Sequence, residues 1–258
     1  MKKIISFAFF IAISFQLFSQ KNSKQEYYLI KIYHCSDVRQ IKSIEEYVGK
    51  ELIPFLHRLQ VERVGVFMPI DNDTLHDKKL YVWMPLAQLD ILENIEKSFA
   101  AISPFSSNAL VHLDSNYNKA PYDRIETMLT IAFSYMPHYV LHTTITKSVD
   151  NIYEWRSYES TTENLHLRKV DMFNKGGEIN LFKKLHFNAA FYSRVIVGAR
   201  MPNLIYMTRF QNKADRDAHW SVFGNDPEWK RISALPQYAN AINKLDITLL
   251  HASVYSEL

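Results

Sequence analysis

The chain has 258 residues, 47% of them hydrophobic and 22% charged, with a formal net charge of +3. This is the profile of a folded globular protein and excludes disordered and low-complexity classes, while only 6 glycines exclude a collagen-like chain or a phosphate loop built on several glycines. Basic and acidic residues nearly balance, so no basic stripe for nucleic acid is expected.

Taken in chain order, the first element is a charged start, Lys2 and Lys3, followed by an apolar run from Ile4 to Phe18 broken by Gln16 and two serines. The run is shorter than the ~20 residues that a spanning helix needs. Residues 1–19 are therefore predicted to be a secretory signal cleaved near Ser19–Gln20. The mature protein is expected to be periplasmic or secreted, with no stable membrane insertion. Cys35 is the one cysteine. An intrachain disulfide is thus impossible, and its place at the end of an apolar run predicts a buried, inert thiol.

Two stretches overlay as copies of one unit. Tyr28, Lys31 and Tyr33 fall on Tyr153, Arg156 and Tyr158, in runs that alternate like half-buried strands. In the first copy a helix is predicted over 38–59, kinked at Pro54. Strands over 63–70 and 79–86 follow, joined by the turn Asp71-Asn72-Asp73, then a helix over 86–99 and a strand over 109–113. In the second copy the helix over 164–185 is interrupted at Gly176-Gly177. Strands over 189–197 and 204–210, a helix over 213–223 and a strand over 248–254 complete it. Between the copies, Ile125, Leu129, Ala132 and Phe133 recur at helical spacing and predict a helix over 122–135. Each copy reads β-α-β-β-α-β, the ferredoxin-like split unit. The expected organisation is an N-terminal repeat at 24–114, a connector with a helix at 115–150 and a C-terminal repeat at 151–258. The fold class is α+β, with the two sheets packed on each other and the Glu154, Arg156, Tyr158 face pointing into the space between them.

Several segments of the second copy resemble the NIPSNAP family. They are the strand from Tyr153, Arg168-Lys169 through Met172-Phe173-Asn174, Gly177-Glu178, the run Gly198 to Met207 and the tryptophan segment Trp220 to Trp229. The resemblance covers about residues 151 to 256, and the first copy is a degenerate version with Leu29 where the motif has Glu154. It implies the dimeric α/β barrel fold, closed here within one chain, and a family without an agreed enzymatic activity. The fold's other members include cofactor-free monooxygenases and haem-degrading enzymes, but a shared fold does not assign a function.

Ligand-pocket candidates are Tyr33, Glu154, Arg156, Tyr158, Tyr206, His112 and His251. An arginine inside an apolar barrel needs a counter-charge. Arg156 therefore reads either as part of an internal ion pair or as a clamp for an anionic ligand. His34-Cys35, His112 and the pair His138/His142 supply too few converging groups for a metal or haem site, so no metal and no cofactor are expected. Nucleophile motifs are missing, so no catalytic residue is assigned. Trp220, Trp229 and Phe223 read as packing between helix and sheet. Three functional readings result. The first is an exported NIPSNAP-like protein that holds a small apolar or anionic molecule between its sheets, alone or as a homo-oligomer. The second is a cofactor-independent oxygenase, and the third is a structural or interaction module with a filled barrel.

Overall fold

The computed structural model describes residues 24–101, 119–142 and 145–258. The signal at 1–19, the strand at 109–113 and His112 lie outside the described residues.

The first copy comprises β1 (Tyr27–Cys35), α1 (Val38–Tyr47), α2 (Ile53–Arg58), β2 (Gly65–Pro69), β3 (Lys78–Leu86) and α3 (Asp90–Ala101). The segment expected to be a helix is instead β4 (Arg124–Ala132). It pairs antiparallel with β1 from Tyr27↔Ile131 to His34↔Arg124. The helical spacing was coincidental. Ile125, Thr127, Thr130 and Ile131 are β-branched and suit a pleated ribbon, and a vacant sheet edge outweighs a weak local pattern.

The second copy comprises β5 (Ile152–Glu159), α4 (Glu163–Phe173), α5 (Glu178–Lys184), β6 (Asn188–Val197), β7 (Asn203–Phe210), α6 (Lys213–Asn225), α7 (Pro227–Ser233) and β8 (Lys244–Ala252). The expected break falls between α4 and α5, where Gly177 adopts φ 97°, a left-handed conformation that suits glycine. The first copy's long helix is also divided. A turn of π-helix at Val48–Leu52 separates α1 from α2. Within it Gly49 sits against the Tyr255 ring, where a Cβ would lie 2.2 Å from the ring carbons. Side-chain caps start the helices: Asp37 accepts from the Gln40 amide, Thr162 from Leu165 and Asn212 from Asp215.

The strands close into one barrel in the order β1-β3-β2-β8-β5-β7-β6-β4. Each copy contributes a sheet with its fourth strand beside its first, the ferredoxin-like order. The two sheets join edge to edge, through β2 with β8 at Phe67↔Ala252 and through β4 with β6 at Leu129↔Val197. Among the described strands, closure leaves no sheet edge unpaired.

Both faces of this sheet are covered. The outer face of the first copy packs under α1 and α2, with Leu29, Tyr33, Val82 and Met84 meeting Ile44, Val48 and Leu56. On the second copy's outer face Tyr158, Tyr192 and Tyr206 meet Phe173 of α4 and Phe182 of α5. The barrel interior is aromatic. Trp83 stacks on Phe191 at 5.3 Å between centroids, and Tyr28 lies 5.0 Å from Trp83. Phe67 lies 4.9 Å from Tyr153. Such contacts add roughly 0.5–1.5 kcal/mol per pair beyond area burial.

Candidate functional site

Alternation along the strands sends every second side chain inward. On β1 these are Tyr28, Ile30, Ile32 and His34; on β3, Lys79, Tyr81 and Trp83; on β5, Tyr153, Trp155 and Ser157. The middle of the barrel is filled by the aromatic cluster, but one end is open. A cavity of about 500 Å³ lies there, at the C-terminal ends of β1 and β5 and the N-terminal ends of β3, β4, β7 and β8. Ile32, Tyr81, Met128, Trp155 and Ile205 give it apolar and aromatic walls. Ser157, Asn203 and Thr248 add neutral polar groups. His34, Lys79, Glu126, Arg200 and Asp246 bring charge.

These charges have counter-charges within the cavity or beside it. Arg200 bonds to Glu159 and Asp246. Lys79 lies 3.4 Å from Asp77, and Arg124 lies 3.7 Å from Glu126. Burial pushes the Tyr81 phenol up to about 12, so it stays neutral at physiological pH.

His34 differs from the other polar groups of the cavity. Its Nδ1 faces Asp77 at 2.8 Å, and its Nε2 is buried without a hydrogen-bond partner among the described residues. The Glu126 carboxylate stands 3.7 Å from that Nε2, too far for a hydrogen bond. Partial burial works against the Asp77 charge. The hydrogen bond from His34, the charge that ring carries when protonated, and Lys79 outweigh it and hold the Asp77 carboxyl below the usual carboxylate range.

The candidates read from sequence lie elsewhere. Glu154, Arg156, Tyr158 and Tyr206 do come together, but on the outer face beneath the helices, which corrects their expected place between the sheets. Their neighbours on β5, Tyr153, Trp155 and Ser157, are the ones that face inward. Alternation shows that a strand has two faces. It cannot say which is the interior when helices bury the other equally well, and all but the last residue of β5 is buried.

On that outer face Glu154 is fully buried. It accepts from Arg156 Nε at 2.6 Å, Arg216 Nε at 2.7 Å and Trp220 Nε1 at 2.7 Å. Arg156 Nη1 donates to Tyr158 Oη, which bonds to Tyr206 Oη at 2.8 Å. The Arg156 guanidinium also stands 3.6 Å from the Trp220 ring centroid. The charge of Arg156 is thus met inside the protein.

Tyr33 belongs to the outer face of the first copy, in contact with Tyr122. His251 faces outward on β8, its Nδ1 3.2 Å from the Asn151 carbonyl. None of the described candidates lines the barrel mouth. His138 and His142 sit on a separate apolar cleft of about 400 Å³ beside α5, where His138 meets Glu26 and His142 meets the Ala189 carbonyl. Trp220 and Phe223 pack against Phe182 as expected.

Sequence reasoning missed His34 as a lone site residue because its partner, Asp77, is 43 positions away. Its signal was a polar residue in inward register at the end of an otherwise apolar strand.

The family comparison bears on the second copy alone. The NIPSNAP family model matches residues 153–257. Residues 153–257 are thus similar to a NIPSNAP domain. Over nearly the whole chain, the fold is similar to that of three solved structures. The first is a proposed monooxygenase of Fusobacterium nucleatum, with TM-score 0.55 and 9% identity over 89% of this chain and 93% of that one. The second is an anthrone oxidase-like protein, with TM-score 0.53 and 11% identity over 90% and 93%. The third is a proposed monooxygenase of Lactobacillus acidophilus, with TM-score 0.51 and 9% identity over 89% and 94%. At these identities the likeness speaks for the fold. No curated protein matches the chain. The matched segment holds β5 to β8 and α4 to α7, hence one half of the barrel. The mouth cavity takes Trp155, Asn203 and Asp246 from it and His34, Tyr81 and Glu126 from the first copy.

Proposed function

We propose that this protein binds a small, largely aromatic, uncharged molecule in the barrel mouth. The observation that carries this reading is the cavity of about 500 Å³ at the end of an otherwise filled barrel. That volume suits a small ligand. Trp155, Tyr81, Met128 and Ile205 offer surfaces to a flat apolar body. The paired charges at the rim leave no net clamp for an anion, so a neutral ligand fits better than a charged one.

Native mass spectrometry of the full chain with a set of small phenols and their ethers tests the reading. One equivalent retained per chain is expected. No retention of any of them overturns it. The same reading takes residues 1–19 as an export signal, and the mass of the purified mature chain tests cleavage at Ser19–Gln20.

The fold likeness to an anthrone oxidase-like protein is the observation behind a second reading, oxidation of such a ligand by dioxygen in the same cavity. It predicts oxygen uptake with a bound quinol or anthrone-type compound. The binding reading alone predicts none.

A further inference from the structure

The Asp77–His34 pair gives the cavity a chemistry beyond shape. Asp77 is an acceptor on Nδ1, so it holds a ring proton there, and the tautomer this selects carries its lone pair on Nε2. Nε2 is buried, has no hydrogen-bond partner among the described residues and belongs to a residue that lines the cavity. A buried acceptor without a donor is costly, and a ligand that brings a donor removes that cost.

Glu126, 3.7 Å from Nε2, repels a carboxylate or phosphate at this point. The donor is therefore an uncharged hydroxyl. The groups around the ring are Asp77 from the loop before β3, Lys79 of β3, and Arg124 and Glu126 of β4, with Arg200 and Asp246 across the cavity. A cationic ring would lie between two carboxylates, Asp77 and Glu126. An oxyanion formed beside it would have the imidazolium as its neighbour, with Lys79 also at the cavity.

Resting on the proposed binding of an aromatic molecule, the geometry points to a ligand that is a phenol or an enol whose hydroxyl proton passes to His34 Nε2. In that step the O–H bond breaks and an N–H bond forms on Nε2. The bonding electron pair stays on the ligand oxygen, and Asp77 balances the imidazolium. No oxidant or reductant is needed. An aliphatic alcohol is too weak an acid for an imidazole to deprotonate, whereas a phenol or enol is within reach.

The test uses para-nitrophenol, whose ionised form has its own visible absorbance, and para-nitroanisole, which has the same ring and no proton to give. With wild-type protein at saturation, the ionisation midpoint of bound nitrophenol is expected about one pH unit lower than that of the free compound, tenfold in ionisation constant. In His34→Gln the bound fraction should show the neutral spectrum, and in Asp77→Asn, whose side chain is half exposed, an intermediate shift. Nitrophenol and nitroanisole both bound, with no shift for nitrophenol, overturns the proton transfer and leaves the binding reading standing. The same shift in wild type and in both variants overturns the role of His34. Binding of neither compound overturns both readings.

Discussion

Nδ1 of His34 lies 2.8 Å from Oδ1 of Asp77, and that contact joins the end of β1 to the loop that enters β3. It fixes the ring at the barrel mouth and leaves Nε2 open beside Glu126. The two residues belong to one copy of the repeat, while the apolar wall facing them, Trp155 and Ile205, belongs to the other. The cavity therefore exists only because two copies close one barrel.

The outer-face network should behave as structure and not as a site. Glu154 neutralises two guanidiniums in a dry environment, and removing one partner of a buried ion pair leaves the other uncompensated. Glu154→Gln is expected to lower the unfolding free energy by about 3 kcal/mol or more, read by urea denaturation. Adding Arg156→Met to that variant should recover part of the loss, because it removes one stranded charge. A change within about 0.5 kcal/mol for Glu154→Gln would contradict the account.

Cys35 should be silent in the native state. Burial first, and then the carboxylates of Asp123, Asp37 and Asp77, push its thiol up to about 12, so almost no thiolate exists near neutral pH. A disulfide-exchange reagent is expected to leave the folded protein unmodified and to label one thiol per chain in urea. Rapid labelling without denaturant would show that the end of β1 opens readily.

His166 on α4 should make the fold acid-sensitive. Burial, and then Arg194, lower its pKa from the ordinary 6.5 to about 4. The unfolded chain takes up that proton near 6.5 while the folded chain does not until about 4. Between those values the unfolded state holds more protons, so stability falls as pH falls and is flat above the window. The upper bound of the loss is about 3 kcal/mol. Urea midpoints should drop between about pH 7.5 and about pH 5 by more in wild type than in His166→Gln. Equal drops would show that this histidine does not couple folding to acid.

The repeat, the order of elements in the second copy and the interruptions at Gly177 and before Pro54 were legible because they depend on local chemistry. Glycine takes a left-handed conformation, proline starts a helix, and alternation marks a strand. The fourth strand of the first copy was not legible. Ile125, Leu129, Ala132 and Phe133 share a helical spacing, and only the open edge of β1 shows that 124–132 must be a strand. The site was misplaced for a related reason. Glu154, Arg156 and Tyr158 stood out as polar residues on an apolar strand, yet polarity marks a buried network as readily as a pocket. His34 became distinctive only when Asp77, distant in sequence, was brought to its ring.

The most direct test of the central claim fills the cavity without touching its charged groups. Thr248 lines the cavity on β8 and is only partly buried, so a larger side chain there can enter the open space. Titration calorimetry with para-nitroanisole compares wild type with Thr248→Trp, alongside the urea midpoint of each. The account predicts one-site binding to wild type, a loss of at least about tenfold in the variant, and a midpoint near that of wild type. Equal binding by both proteins would place the ligand outside the barrel mouth and contradict the claim.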